Sequence, residues 1–220
     1  EKILYIIRFL DIQARKYGGR IITIVGNHEI TNLDSPGEKN FRASSTYCKT
    51  RGGRITDLYK QIEDRYKRFL PGGIIHKFLY NNDKIYTIVR IGRWIFCHGG
   101  IIKKTFLLQL CDHYKCSSQD ELFSKINEYS THYFNKKNPY DGKYYSDIYS
   151  KYDKDGITPQ THLSNITWNR RWGRSSCNSS ECRDLLELLS SMPTNDDNII
   201  EPSLVIAHCV QNEGVNSCCD

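Results

Sequence analysis

A chain of 220 residues, 39% of them hydrophobic, is long enough to bury a core, and no apolar run approaches the roughly 20 residues of a membrane-spanning helix. The 31 basic and 25 acidic residues leave a net charge of +6, too small for a dedicated nucleic-acid-binding surface. Nine cysteines cannot all pair, and charges interrupt the first residues too often for a signal peptide, so we predict a reducing, cytoplasmic compartment and no membrane partner.

The sequence of the N-terminal third predicts two helices with a strand between them. The first helix, within residues 1–17, carries an apolar stripe made of Ile3, Ile6, Ile7, Leu10 and Ala14. Gly18-Gly19 ends it, and the apolar run at 20–25 suits a buried strand. Residues 30–56 are polar and rich in Gly and Ser, which indicates a long loop, and a second helix follows at 57–69.

The rest of the chain predicts a hairpin, three helices and a final strand. Two β-rich runs within 84–97 are separated by Gly92-Arg93, which suits a tight turn. Helical periodicity recurs near 104–112, 120–134 and 181–192, and the strand SLVIA occupies 203–207. We therefore predict a single α/β domain over residues 1–220, with polar insertions near 30–56 and 135–160.

Three of the predicted strands end in a histidine. The runs TIVGNH, WIFCHGG and LVIAH lead into His28, His98 and His208. Ligands of α/β proteins gather at the carboxyl ends of strands, so these side chains are candidates to converge. Each histidine alone is more often a hydrogen-bonded structural residue, but imidazole nitrogen together with amide or carboxylate oxygen suits zinc, manganese or iron at an open site. The adjacent glycines would let the backbone turn sharply.

Larger blocks of the sequence resemble a known family. GNHE at 26–29, HGG at 98–100 and His208 ahead of VQ resemble blocks of the calcineurin-like metallophosphoesterases, in particular the phosphoprotein phosphatases. The segments NHEITNL, FLPGGII, IFCHGGII, WNRRW and VQNEGVNSCCD are most similar to the Shewanella-like, or bacterial-type, protein phosphatases. The resemblance implies a sandwich of two mixed sheets flanked by helices, and hydrolysis of phosphate monoesters on a phosphorylated protein or a small phosphoester.

The resemblance also implies roles for individual residues. Asn27, His98 and His208 would bind one of two divalent metal ions, which would be manganese, iron or zinc. His28 would be the general acid that protonates the leaving alkoxide, and Arg170 or Arg171 would hold the phosphate. These roles fit the chemistry, since imidazole titrates near neutral pH and the guanidinium fork donates two parallel hydrogen bonds to an oxyanion.

Two blocks of that family are absent from this chain. The GD-x-H and GD-x-x-DRG blocks, which would precede GNHE and supply the ligands of the other ion, do not occur upstream of Gly26. We therefore expect a fragment of a longer catalytic domain that holds three ligands of one ion and is inactive by itself. Ala207 stands where the family has glycine, and Cys209 stands where threonine is common; both changes leave His208 in place.

Other interpretations remain open. The same metal centre serves phosphodiesterases and nucleotide phosphatases, and a chain without the missing blocks could be a binding pseudophosphatase. Glu29 is interpreted as a hydrogen-bonding scaffold residue rather than a catalyst. The motif C-x-H-x-x-C, formed by Cys111, His113 and Cys116, has no common zinc spacing, so structural cysteines are favoured there.

Overall fold

The computed structural model describes residues 2–29, 67–79, 84–101, 104–136, 166–167, 180–194 and 202–207. Within these ranges the chain is mixed α/β. The elements, in chain order, are α1 (Lys2–Lys16), α2 (Ile74–Leu79), β1 (Ile88–Ile91), β2 (Trp94–Cys97), α3 (Lys104–Tyr114), α4 (Gln119–Lys136), α5 (Ser180–Ser191) and β3 (Ser203–Ile206).

The three strands form one mixed sheet in the order β1-β2-β3. β1 and β2 are an antiparallel hairpin closed by the pair Ile91 and Trp94, with Gly92 in the turn at a φ of 56°. β3 runs parallel to β2, and its pairing continues beyond the strands because the Ala207 N–H donates to the carbonyl oxygen of His98 at 2.8 Å. The sheet therefore aligns His98 with Ala207, the residue that precedes His208.

The larger hydrophobic core lies between this sheet and helices α3, α4 and α5. Apolar residues at helical spacing on α4 and α5 supply much of it, as the amphipathic periodicity predicts. Its fully or almost fully buried members are Ile88, Ile95, Cys97, Ile101, Leu110, Leu122, Phe123, Ile126, Ile166, Leu185, Leu188 and Leu189. A smaller core contains Val25, Phe69, Ile75, Leu79 and Ile85, and it supports the segment that leads to Asn27.

Asn127 on α4 attaches the helix to β1. Its side-chain oxygen accepts hydrogen bonds from the N–H groups of Thr87 and Ile88, at 2.8 and 3.2 Å, and its amide nitrogen donates to the Ile88 carbonyl at 2.8 Å. The Asn127 side chain thus provides the hydrogen-bond partners that a neighbouring strand would otherwise provide for these backbone groups. Buried backbone polar groups need such partners, so α4 is held in one position against the sheet.

The predicted hairpin, the final strand, the first helix and the three later helices are confirmed, with ends shifted by at most two residues, except that the first hairpin strand begins at Ile88 and not at 84. The strand predicted at 20–25 is wrong for the described chain, because this segment makes only an isolated parallel bridge between Ile24 and Tyr86. Helix α2, which was not predicted, begins directly after Pro71-Gly72-Gly73. Of the second predicted helix, only residues 67–69 are described, and they are helical.

The face that α1 buries differs from its predicted apolar stripe. Ile3 and Ile6 on that stripe are 70% and 58% exposed, whereas Asp11 on the adjacent face is 2% exposed and Leu4 packs against the smaller core. The Asp11 carboxylate accepts hydrogen bonds from the Arg15 side chain and the Ile21 N–H, at 2.9 and 3.0 Å. This links the helix to the segment that leads to the candidate site.

Other predictions reach beyond the described ranges. The described strands form one sheet, so the two-sheet sandwich stays a prediction. The insertion at 30–56 lies outside the described residues, as does the one at 135–160 except for residues 135–136, which belong to α4. No helix in the described parts of the chain is long and apolar enough to cross a bilayer.

Candidate metal centre

The structure brings two of the predicted metal ligands into contact. The Nε2 atom of His98 lies 2.8 Å from the Oδ1 atom of Asn27. Asn27 is 2% exposed and His98 is half-buried, so the pair lies at the edge of the protein interior. Because the amide oxygen can only accept, the imidazole donates in this hydrogen bond.

Gly26 allows this close approach. A Cβ atom built on Gly26 would lie 2.8 Å from Nδ1 and 2.9 Å from Cε1 of the His98 ring, distances that real Cβ atoms do not adopt. The ring of His98 therefore lies directly against the backbone that precedes Asn27. The requirement for glycine at this position comes from packing, since any side chain would push the ring away from Asn27.

Glu29 stabilises the turn that carries Asn27. Residues 27–29 begin a helical turn, and the N–H of Gly26 donates to Oε2 of Glu29 at 3.0 Å. This is half of a capping box, in which the third residue of a helix accepts from the backbone N–H of the N-cap residue. The contact agrees with a scaffold role for Glu29 and explains it, because the carboxylate closes the turn from which Asn27 projects. The spacing G-x-x-E was the available signal in the sequence.

The backbone just before Asn27 is held by a neighbouring segment. The Val25 N–H donates to the carbonyl oxygen of Tyr86 at 2.9 Å, and the Val25 side chain is fully buried. This segment is not a strand of the β1-β2-β3 sheet, so the predicted convergence of three strand ends at one sheet edge is only partly correct. β2 and β3 end side by side, whereas Asn27 reaches His98 from outside the sheet.

His28 is exposed to solvent, whereas its neighbour Asn27 is buried. Successive residues of a helical turn point in different directions, so one can face the interior while the next faces outward. A proton donor to a bound substrate would have to be exposed and close to the metal ligands. The His28 imidazole is exposed and follows the candidate ligand Asn27 directly. The arrangement is compatible with that role, which stays a prediction.

The remaining predicted site residues, His208, Arg170 and Arg171, lie outside the described residues. Two contacts fix the chain next to them. The carbonyl of His98 accepts from Ala207, directly before His208. The Gly99 N–H donates to the carbonyl oxygen of Ile166 at 2.6 Å, and Ile166 precedes Arg170 by four positions. The role of Ile166 had no signal in the sequence, because a backbone carbonyl carries no residue-type signature.

Cys97, directly before His98, packs in the larger hydrophobic core. Burial raises the pKa of its thiol to about 12, although the Gly100 N–H lowers it in part. A neutral, buried thiol behaves as a small apolar group that packs in the core. The candidate donors in contact beyond the end of β2 are the imidazole of His98 and the amide of Asn27.

The donor pair is suited in chemistry and placement to one edge of a divalent metal site. Imidazole nitrogen and carbonyl-type oxygen bind zinc at about 2.0–2.2 Å in tetrahedral geometry, so two ligands of one ion lie roughly 3.3–3.6 Å apart. The 2.8 Å separation of the Asn27 and His98 atoms is that of a hydrogen bond, so Nε2 would have to lose its proton and the two atoms would have to separate slightly to hold an ion. No group of three or more His, Cys, Asp or Glu side chains is arranged to hold a metal ion in the described ranges. The described part of the chain thus contributes two candidate ligands.

A comparison with known proteins finds a distant relative of this chain. The chain is 24% identical over 251 aligned residues to "Shewanella-like protein phosphatase 2" of Arabidopsis thaliana, and the alignment covers the whole chain and 55% of the relative. The chain thus spans about half the length of that protein. No family model matches the chain, and no solved structure matches it. The match supports a link to the phosphoprotein phosphatases.

Proposed function

We propose that this chain belongs to the catalytic part of a metal-dependent phosphatase that hydrolyses phosphate monoesters on phosphorylated proteins. The contact between Asn27 Oδ1 and His98 Nε2 at 2.8 Å carries the proposal, because it joins two motifs that lie 71 residues apart. A buried amide in contact with an imidazole is a small polar site inside an apolar region. Such a site is stable only when its groups have partners, which a metal ion would also supply.

Asn27, His98 and His208 would hold one divalent ion, which would be manganese, iron or zinc. When bound, such ions lower the pKa of water and polarise phosphoryl oxygens. The shell around the donors supports this role, because Gly26 lets the His98 ring approach and Glu29 closes the turn that carries Asn27. Residues that orient ligands in this way are a regular part of metal sites. A second ion would need ligands outside this set.

His28 would donate the proton to the leaving alkoxide. Its exposure places it where a phosphorylated side chain can approach, and an imidazole has the proton affinity for this step at neutral pH. Arg170 or Arg171 would bind the phosphoryl oxygens. The hydrogen bond from Gly99 to Ile166 supports that assignment, since it ties the chain just before these arginines to the residue that follows His98.

A phosphorylated protein is the proposed substrate because of the relative in Arabidopsis thaliana, whose name describes a protein phosphatase. A small phosphoester is the alternative, and a phosphodiester or a nucleotide would use the same donors. The net charge of +6 favours anionic substrates in general and does not distinguish among them.

The test is phosphate release by the protein expressed from its complete reading frame. The substrates are a phosphoserine peptide and a phosphodiester, and each is tested once with Mn²⁺ and once with a chelator. A variant with a substitution at an exposed site, Tyr17→Ala, is the control. The proposal predicts Mn²⁺-dependent release from the phosphopeptide, equal in the control variant. Release from the diester alone would move the assignment to a phosphodiesterase, and metal binding without turnover of either substrate would indicate a pseudophosphatase.

A further inference from the structure

Helix α3 ends in a turn that has a cysteine at each end, Cys111 and Cys116. The Cys116 N–H donates to the carbonyl oxygen of Cys111 at 3.0 Å, and the Lys115 N–H donates to the carbonyl oxygen of Asp112 at 3.2 Å. Lys115 has a φ of 52°, the left-handed conformation. These nested hydrogen bonds and the left-handed residue define a Schellman motif, with Lys115 at the position that usually holds glycine.

A Schellman motif brings together the side chains of the residues that its outer hydrogen bond joins. Here those residues are Cys111 and Cys116, and both pack against the larger core while remaining partly exposed. A disulfide requires Cα atoms about 4.4–6.8 Å apart. The closed six-residue turn holds its two ends in close proximity, and both thiols are free.

We propose that Cys111 and Cys116 are a thiol-oxidation site that forms a reversible disulfide across the end of α3. The oxidant is a small-molecule disulfide such as glutathione disulfide. One protein thiolate attacks its S–S bond, forming a mixed disulfide and releasing one glutathione thiolate. The second protein thiolate then displaces the other glutathione. Two protein thiols are oxidised, one glutathione disulfide is reduced to two thiols, and the two protons pass to those thiols.

The folded turn makes the pair distinct from Cys97. Cys97 is 4% exposed inside the core, so a glutathione molecule cannot reach it without unfolding. Cys111 and Cys116 are accessible, yet burial raises the pKa of both thiols, and for Cys116 the nearby Glu121 and Cys111 raise it further. Lys125 opposes this effect at Cys116. Exchange is therefore slow at neutral pH, because thiolates are the reactive form.

This inference does not rest on the phosphatase proposal, and its failure would leave that proposal unchanged. The covalent bond would join the two ends of a turn whose left-handed residue is a lysine rather than glycine. Fixing that turn would hold the end of α3, where Tyr114 also packs against the larger core. The proposed disulfide would thus fix a helix end whose backbone hydrogen bonds already close the turn between the two cysteines.

Trypsin provides a direct test, since its cleavage site after Lys115 lies between the two cysteines. The native chain is equilibrated with chelator and graded ratios of glutathione disulfide to glutathione, alkylated, and digested without reduction. We expect the peptide ending at Lys115 and the peptide beginning at Cys116 to remain joined, with Cys97 alkylated only after denaturation. Cys111→Ser and Cys116→Ser should each abolish the joined species.

The same equilibration in urea separates the folded turn from mere proximity in sequence. We expect the joined fraction to require at least about tenfold more oxidising conditions in urea than in the native chain, because the native turn holds the thiols together. The proposal is overturned by stable glutathionylation without joining, by preferential pairing of either cysteine with another cysteine, or by equal joining in urea and in buffer.

Discussion

His98 and Asn27 are 71 residues apart in sequence, and their side chains meet at 2.8 Å. Each comes from a different part of the fold. His98 follows β2 of the sheet, and Asn27 follows an extended segment that bridges Tyr86 beside the sheet. The smaller core buries Val25 next to this segment, and Gly26 supplies the space that the imidazole fills. The geometry of the pair therefore depends on packing around it as much as on the two residues.

Replacing Gly26 by Ala should disturb the site without changing any donor. The new Cβ would lie 2.8 Å from Nδ1 of His98, so we expect a loss of about 1–3 kcal/mol in the free energy of unfolding and weaker Mn²⁺ binding. Gly19→Ala is the matched control, because its nearest contact would be an ordinary 3.4 Å. Urea denaturation and calorimetric titration measure the two effects. Equal behaviour of the two variants would contradict the packing argument.

Replacing His28 by Ala should separate catalysis from metal binding. His28 is exposed, and its proposed role is proton donation, so we expect kcat of the complete protein to fall roughly 10²- to 10⁴-fold. The affinity for Mn²⁺, measured by titration, should stay as in the unmodified protein. A variant that loses the metal together with activity would make His28 a ligand rather than the acid.

Replacing Asn127 by Ala should be strongly destabilising although the residue is far from the candidate ligands in sequence. It would leave three hydrogen bonds to the backbone of Thr87 and Ile88 unmade inside the protein, and we expect a loss of about 3 kcal/mol. Ser124→Ala on the same helix is the control, since it removes only an exposed hydrogen bond to Glu128. The comparison uses chemical denaturation, and similar losses for both variants would refute the linking role of Asn127.

Asp11 should make stability depend on acid pH. Burial raises its pKa, but the Ile21 N–H and the guanidiniums of Arg15 and Arg8 outweigh burial and hold the pKa below its usual value. A folded-state pKa below the unfolded one stabilises the protein above the unfolded pKa, and this stability is lost as pH falls through the folded pKa.

The free energy of unfolding of the wild type should therefore exceed that of Asp11→Asn at neutral pH. The difference should narrow as the pH falls below about 4. Denaturation at a series of pH values measures it, and Asp184→Asn controls for the loss of an exposed charge. A difference that is constant with pH would show that the Asp11 carboxylate is not stabilised by these partners.

The sequence was sufficient to predict the elements whose signal is local. Helices α1, α3, α4 and α5 follow from apolar periodicity, and the hairpin follows from Gly92 between two β-rich runs. The periodicity of α1 did not identify its buried face, because burial is decided by what packs against a helix. Ile24 and its neighbours indicated a strand, but a strand also needs a pairing partner, and the only described pairing is one bridge to Tyr86.

The candidate site likewise combines a local contact that the sequence could have indicated with long-range contacts that it could not. The link between Glu29 and Gly26 is a contact over three residues, and the capping-box pattern could have indicated it. The contact between Asn27 and His98 spans 71 residues, so only the resemblance of GNHE and HGG to a family related them. The hydrogen bond between Gly99 and Ile166 joins two backbone groups, so the identities of the two residues could not have indicated it.

The most direct test of the proposed metal-dependent phosphatase activity is the dependence of phosphate release on Mn²⁺ concentration, measured with a phosphoserine peptide. The protein from the complete reading frame is compared with its Asn27→Ala and His98→Ala variants. We predict release that requires Mn²⁺, and a shift to higher Mn²⁺ or a complete loss in both variants, because each removes one proposed ligand of the same ion. Release without metal, or a Mn²⁺ dependence that neither substitution changes, would contradict the account.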